Sequence, residues 1–397
     1  MSFMKTISAL GLLTGLGLLG YVGLSVLDTD QAQAARSVEL SAAGADIADN
    51  IEDLSADPAL DQFPALKEAV LAPVRAVVSQ KPAQPETCVE NDLTGIKFQR
   101  QCATAETRHV TVLPGEYVYL AQLQDHPEIR SVELRMIRLE NVDHLSGFPN
   151  LRTLMIVDAE VQDISAIGAI SSLKSLVLSG TFGGDLSFVQ SLNGLQKLFV
   201  TGLATPDLTP LAGLSELTSL KFDNMPVADL APLANLTNLQ SLSLIDTQVN
   251  DLAPLANLTE LYNLDVLRAP LTDASPIRGL SRLQNLALSE LRLADYSALA
   301  DLANLSTLYL AGSDIGDISV VANLPKLRRL NLSKTRVRDL TPLESSPSLQ
   351  AVNLRDMRGI DVSPLSRIAT INELHLYNAS VTGLAQLRVI PGMKIYQ

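Results

Sequence analysis

Residues with the chemistry to act are sparse in this 397-residue chain, and most of them recur at one interval. Aspartate stands at Asp163, Asp185, Asp207, Asp229, Asp251, Asp273, Asp295, Asp317, Asp339 and Asp361, each 22 residues after the last. A row of carboxylates invites calcium. A hard cation needs several oxygens converging on it, however, and each interval supplies one Asp with no second acidic ladder beside it. The other role for such an Asp is an Asx-turn, its carboxylate accepting the N–H two residues on. The four histidines, His109, His126, His144 and His375, are scattered, and no Cys/His set has zinc spacing. A Ser-His-Asp site needs its His beside a nucleophile in a pocket, and His375 falls in a strand pattern of an open sheet. No catalytic residue, metal or cofactor is assigned on these grounds, and the expectation is a non-enzymatic protein.

The elements that carry this row are copies of one segment. Leading apolar residues fall at Ile129, Leu151, Leu173, Leu195, Leu217, Leu239, Leu261, Leu283, Leu305, Leu327, Leu349 and Ile371, without insertion or deletion. A fixed period of this size means a solenoid whose units stack only on their neighbours. With the leading residue as offset 0, the copy from Leu239 places Leu242 and Leu244 at offsets 3 and 5. That alternation predicts a short strand with both leucines pointing inward. Val249 lies at offset 10, and Leu252, Leu255 and Leu258 at offsets 13, 16 and 19. A spacing of three suits a 3₁₀ or short helical return. Pro recurs at offset 15 (Pro210, Pro232, Pro254, Pro276, Pro342, Pro364), often after Ser or Thr. This predicts a Ser/Thr N-cap with Pro at the first helical position.

Four segments follow. Residues 1–34 hold Lys5, an uncharged run over 7–27, and Ala32-Gln33-Ala34. They fit a signal peptide with Ala35 as the mature start, and the run is equally long enough for an uncleaved membrane anchor. Either places the rest outside the cytoplasm: periplasmic, secreted or anchored at the cytoplasmic membrane. Residues 35–87 are an acidic, Ala-rich spacer with helical apolar spacing, as at Phe63, Leu66, Val70, Val74 and Val77. Residues 88–128 form an N-terminal cap. Cys88 and Cys102, the only two cysteines, read as a disulfide in an exported chain. Thr107–Glu128 repeats the 22-residue spacing in degenerate form. Residues 129–397 are the array. The net charge of −13 argues against nucleic acid as a partner.

The pattern LxxLxL….V.DL.PLA.L over residues 129–392 resembles leucine-rich repeats, specifically the 22-residue, internalin-like type. The resemblance implies an α/β solenoid: a horseshoe with a parallel concave sheet, a convex side of short 3₁₀ or helical segments, and protein binding on the concave face. This chain departs from the family at offset 8, where the family places Asn. Here the position reads Ala159, Thr181, Leu203, Met225, Thr247, Ala269, Leu291, Ser313, Thr335 and Met357, so these turns satisfy their backbone by other means.

Outward strand positions, offsets 2, 4 and 6, are where a ligand would sit. Three sets stand out. Met155, Val177 and Phe199, with Val157, form an apolar patch, and such patches mark interaction sites. Ile245 and Leu267 lie mid-array near Asp223, Asp246 and Asp265. Tyr309, Arg355, His375 and Tyr377, with Arg329 and Lys334, mix aromatic and basic groups, as binding hot spots do. The expected partner is a protein. The alternative is a wall polysaccharide, disfavoured by an aromatic content of 4% and the absence of Trp.

Overall fold

The computed structural model describes residues 108–112, 127–182, 185–204 and 207–397. Segments 1–34 and 35–87, with Cys88 and Cys102, lie outside the described residues. Within the described residues one parallel sheet of 15 strands runs from His109–Val112 to Lys394–Tyr396. Each strand pairs with the strand of the next copy in a register of 22: Ser219 with Ser241, Ser241 with Asn263, Asn263 with Asn285. His109–Val112 pairs with Ser131–Leu134 at the same interval, so the degenerate copy before Ile129 contributes a strand. The last step is shorter: Glu373 pairs with Lys394, and that coil returns through an α-helix, Leu384–Arg388, in place of a 3₁₀ turn.

The inward assignment holds throughout the copy from Leu239. Leu239, Leu242, Leu244, Val249, Leu252, Leu255 and Leu258 have no exposed surface. Equivalent residues of successive coils join one continuous core, with exceptions such as exposed Gly359 at offset 10 and buried Ser346 at offset 19. Because each coil repeats the same inward set, leucine layers stack along the axis, and no coil can bury its own layer alone.

Backbone bonds between coils fix the spacing. The carbonyl of Gln240, at offset 1, accepts from both Tyr262 N and Asn263 N at 2.9 and 3.1 Å. At the other end of the strand, the offset-7 N–H donates to the offset-6 carbonyl of the next coil, as Asp246 N does to Leu267 O at 3.0 Å. That offset-7 residue is left-handed in every coil. It reads Met136, Asp158, Gly180, Gly202, Asn224, Asp246, Arg268, Glu290, Gly312, Lys334, Asp356 and Asn378, all with positive φ. In most coils the chain turns out of the strand here; in Thr153–Asp163 and Ser175–Phe182 the strand runs on past it, with a shift of register between Val157 and Ala159. A Cβ on Gly202 would stand 1.5 Å from Gly180 O, so glycine is obligatory there. At offset 8 the chain turns inward. Ser313 and Thr335 donate their hydroxyls to Leu310 O and Leu332 O, each at 2.7 Å, which takes over part of what an asparagine would do.

The ten aspartates form Asx-turns. Each Oδ1 accepts the N–H two residues on, at 2.8–2.9 Å. The helix start differs from the sequence expectation by one position. Thr209 is the first residue of its 3₁₀ turn and Pro210 the second, while the flanking Leu208 makes no side-chain cap. The flanking position is buried core, so the capping oxygen comes from the Asp one residue earlier.

Two expected outcomes follow from this packing. Leu244→Ala should cost about 2–5 kcal/mol through the cavity it leaves, read by urea denaturation; an unaltered midpoint would contradict the inward assignment. The second concerns acid. Bonds to Thr341 hold Asp339 below the usual carboxylate range, the hydroxyl contributing most, and the Ser363 N–H does the same for Asp361. A depressed folded value contributes stability that is fully present above the ordinary value of 3.8 and is lost as pH falls from there through the lower folded value. Asp339→Asn with Asp361→Asn keeps the acceptor oxygen and removes the titration. The acid limb of stability against pH should then flatten, and an identical limb would count against the turns.

Candidate functional site

The sheet face opposite the leucines is a surface of short rows, one side chain per coil, with neighbours about 4.8 Å apart. Offset 4 runs through the middle of it. Strand register sets Met155, Val177 and Phe199 side by side in three successive coils. The row continues with Lys221, Ser243 and Asp265, then Ala287, Tyr309, Asn331, Asn353 and His375. The row therefore divides into an apolar, a charged and an aromatic-amide section.

The apolar section is less open than the sequence suggests. Met155, Val157, Val177 and Phe199 are all half-buried, because neighbours in a parallel ladder shade one another. It has charged ends. On one side Glu133 is buried against Arg135, 2.6 Å away. On the other lies Lys221.

In the charged section Lys221 Nζ contacts Asp223 at 2.8 Å, and Ser243 Oγ donates to Asp223 Oδ1 at 3.0 Å. Asp265 takes a 3.2 Å bond from Asn263 Nδ2. Burial raises its carboxyl above the usual range, and the nearby Asp223 raises it further, against the Asn263 bond and the Lys221 charge. Ile245 and Leu267 sit beside this network, adjacent in register and half-buried. At their margin Arg268 grips Asp246 through two nitrogens at 2.5 and 2.6 Å.

The C-terminal section gathers most of its predicted members. Arg355 lies over the Tyr377 ring at 4.6 Å, and both are exposed. His375 bonds Glu373 at 2.7 Å and stacks on Tyr396, centroids 4.6 Å apart. Tyr309 is exposed two coils further from the end than Asn353. Tyr396 is a member that sequence reading missed, since the shortened last coil sets it beside His375. Arg336 and Arg358 were missed too. They lie at offset 9, beyond the concave sheet, Arg358 opening a short separate strand, Arg358–Asp361, and their signal was the density of Lys and Arg between positions 326 and 367.

Among the described residues no group of three His, Cys, Asp or Glu side chains could hold a metal ion, and each Asp of the periodic row is engaged by its own turn. A groove of about 440 Å³ runs along the strand-entry edge, lined by Gln240, Glu260, Tyr262, Arg282, Gln284 and Asn304. Polar side chains line it, and they include no nucleophile-base pair. Among the described residues no helix is long and apolar enough to cross a membrane; residues 7–27 are not among them.

A coil of strand, left-handed corner, Asx-turn and 3₁₀ return, repeated every 22 residues, is the unit of a leucine-rich-repeat horseshoe. The fold is that of a leucine-rich-repeat solenoid, and its 22-residue repeats resemble those of an internalin. An internalin (inlF) from Listeria monocytogenes superimposes with a TM-score of 0.63 at 26% identity, over 69% of this chain and 82% of that one. A leucine-rich-repeat protein of Leptospira interrogans shares the fold at 15% identity and a TM-score of 0.58, over 73% and 90%. No protein-family model matches the chain, and no curated protein does.

The Asp265 carboxyl generates a prediction with a definite sign. A group raised by folding disfavours the ionised folded state as pH rises above its ordinary value of 3.8. Asp265→Asn should therefore raise stability at pH 7 relative to the parent, and the gain should shrink towards pH 3. Denaturant midpoints at the two pH values test it; a variant less stable at pH 7 would show that the ionised form is well paired.

Proposed function

We propose that this is an exported, non-enzymatic protein that binds a protein partner on its concave sheet. The observation that carries the reading is the in-register apolar row Met155, Val177 and Phe199, open on a face that no other described element covers. Apolar side chains side by side on a sheet, bounded by charge, supply the desolvated centre and polar rim of a protein interface. Likeness to an internalin supports an interaction module of this kind. Ile245 and Leu267 extend the contact mid-array, and Tyr309, Arg355, His375 and Tyr377 supply its C-terminal anchor. Residues 88–128, with a Cys88–Cys102 disulfide, cap the first leucine layer. Residues 1–34 direct export by a cleaved signal or a retained anchor, and 35–87 space the array from it.

A second reading, a polysaccharide-binding module, rests on the exposed rings of Tyr309, Tyr377 and Tyr396. Simultaneous Met155→Ser, Val177→Ser and Phe199→Ser separates the two. With the full chain immobilised and exposed to envelope extract, the parent should retain a specific protein that the triple variant loses, while both melt at similar temperature. Equal retention by parent and variant would sink the apolar row as the site. Retention on wall polysaccharide with no protein captured would favour the second reading.

A further inference from the structure

The chain carries a net charge of −13, yet nine Lys or Arg stand against four Asp or Glu between positions 326 and 367. The four acids there are already committed. Asp339 and Asp361 close Asx-turns, Glu344 binds Arg367 at 2.6 Å, and Asp356 takes a 2.7 Å bond from Asn378 and pairs with Arg355 and Lys334. Arg329, Arg336 and Arg358 are exposed, and none has a carboxylate within ion-pairing distance among the described residues. Arg336 and Arg358 occupy the same offset in adjacent coils, with Lys334 and Arg355 between them along the strand-exit edge. Arg329 stands at the entry edge of the same coils. Like charges on neighbouring coils repel and lower stability; Asp356, 3.6 Å from Arg355 and 3.9 Å from Lys334, offsets those two in part, while Arg329, Arg336 and Arg358 have no such partner among the described residues.

Between the two basic margins the sheet is neutral. Asn331 Oδ1 accepts from Ser333 N and Oγ. Asn353 Oδ1 accepts from Arg355 N and shares the single Ser333 hydroxyl hydrogen with Asn331 Oδ1. Both carboxamides thus turn their oxygens inward, and neither Nδ2 has an acceptor among the described residues. Two outward N–H₂ donors in adjacent coils can take peptide carbonyls, and the flanking guanidiniums can take carboxylates bidentately.

We infer that this C-terminal face binds an extended acidic segment of a protein partner. Main-chain carbonyls lie on Asn331 and Asn353, and Glu or Asp side chains lie on Arg329, Arg336, Arg355 and Arg358. The inference rests on the sheet being a protein-binding surface but uses a different section from the apolar row. A polyanion without carbonyls would use the margins and leave the amide donors idle.

The test is fluorescence anisotropy of the full chain with a fluorescein-labelled alternating Glu-Gly peptide, with heparin and phosphatidylglycerol vesicles as separate ligands. The parent should bind the peptide, more weakly as salt rises. The Arg336→Glu/Arg358→Glu variant should bind it at least about tenfold less tightly with an unchanged melting temperature. If that variant unfolds, Arg355→Gln supplies the same comparison. The Met155→Ser/Val177→Ser/Phe199→Ser variant should bind the peptide as the parent does, so loss of envelope capture and loss of peptide binding fail independently. No peptide binding, undiminished binding by the charge-reversed variant, or binding of heparin or vesicles without the peptide would overturn the proposal.

Discussion

Every coil must return the chain to the point from which it left, one strand spacing further along, and all else in the structure depends on that closure. The leucine layers stack only if successive coils have equal length. The strands pair only if their register is kept. Two local devices enforce it. The offset-7 residue leaves the strand in a left-handed conformation while its N–H bonds the next coil. The offset-12 Asp then takes the N–H that opens the return turn. Of the two the corner is the more demanding, since Met136, Arg268, Glu290 and Lys334 adopt it without the freedom of glycine or the local bonding of asparagine. Such residues cost on the order of 1–3 kcal/mol each, and coil stacking outweighs that cost.

Closure also decides what is legible in the sequence. The leucines of the copy from Leu239, the strand alternation, the 3₁₀ spacing and the Asx-turns can all be read, because each is a residue type that geometry repeats. The corner could have been read as well. Eight of its twelve positions are Gly, Asn or Asp, from Asp158 to Asn378, a pattern that φ > 0 requires. It is hidden because the other four types obscure it and because attention falls on offset 8, where the family's asparagine is missing. The helix start slips by one for a similar reason. Ser or Thr before Pro suggests a cap, but the Asp two residues before it has already taken the N–H that a cap would satisfy.

The candidate surface is legible only in part, since a surface is read by position and not by type. Strand alternation places Met155, Val177, Phe199, Ile245 and Leu267 outward, as found, but cannot tell how far neighbours in a parallel ladder cover one another. Nor does alternation reach beyond the strand. Arg336 and Arg358 lie past the corner, and Tyr396 takes its place through a last coil one residue short. Charge density, not periodicity, was the signal for the first two.

The division of the sheet has a physical consequence for how a partner meets it. An acidic array repels an acidic ligand at long range, and one basic section does not reverse the sign of the whole. At physiological salt, however, charges are screened beyond about 8 Å, and coils stand about 4.8 Å apart. A ligand therefore senses roughly two coils at a time. The middle, where Lys221 and Arg268 pair with Asp223 and Asp246, and the basic end around Arg336 and Arg358 act as separate surfaces. Charge therefore favours an acidic segment at the end over the paired middle, and its place along the row is set by the outward residues there. In this way identical scaffolding carries position: the leucines fix where each coil stands, and the outward residues, different in every coil, fix where along the row a partner lies.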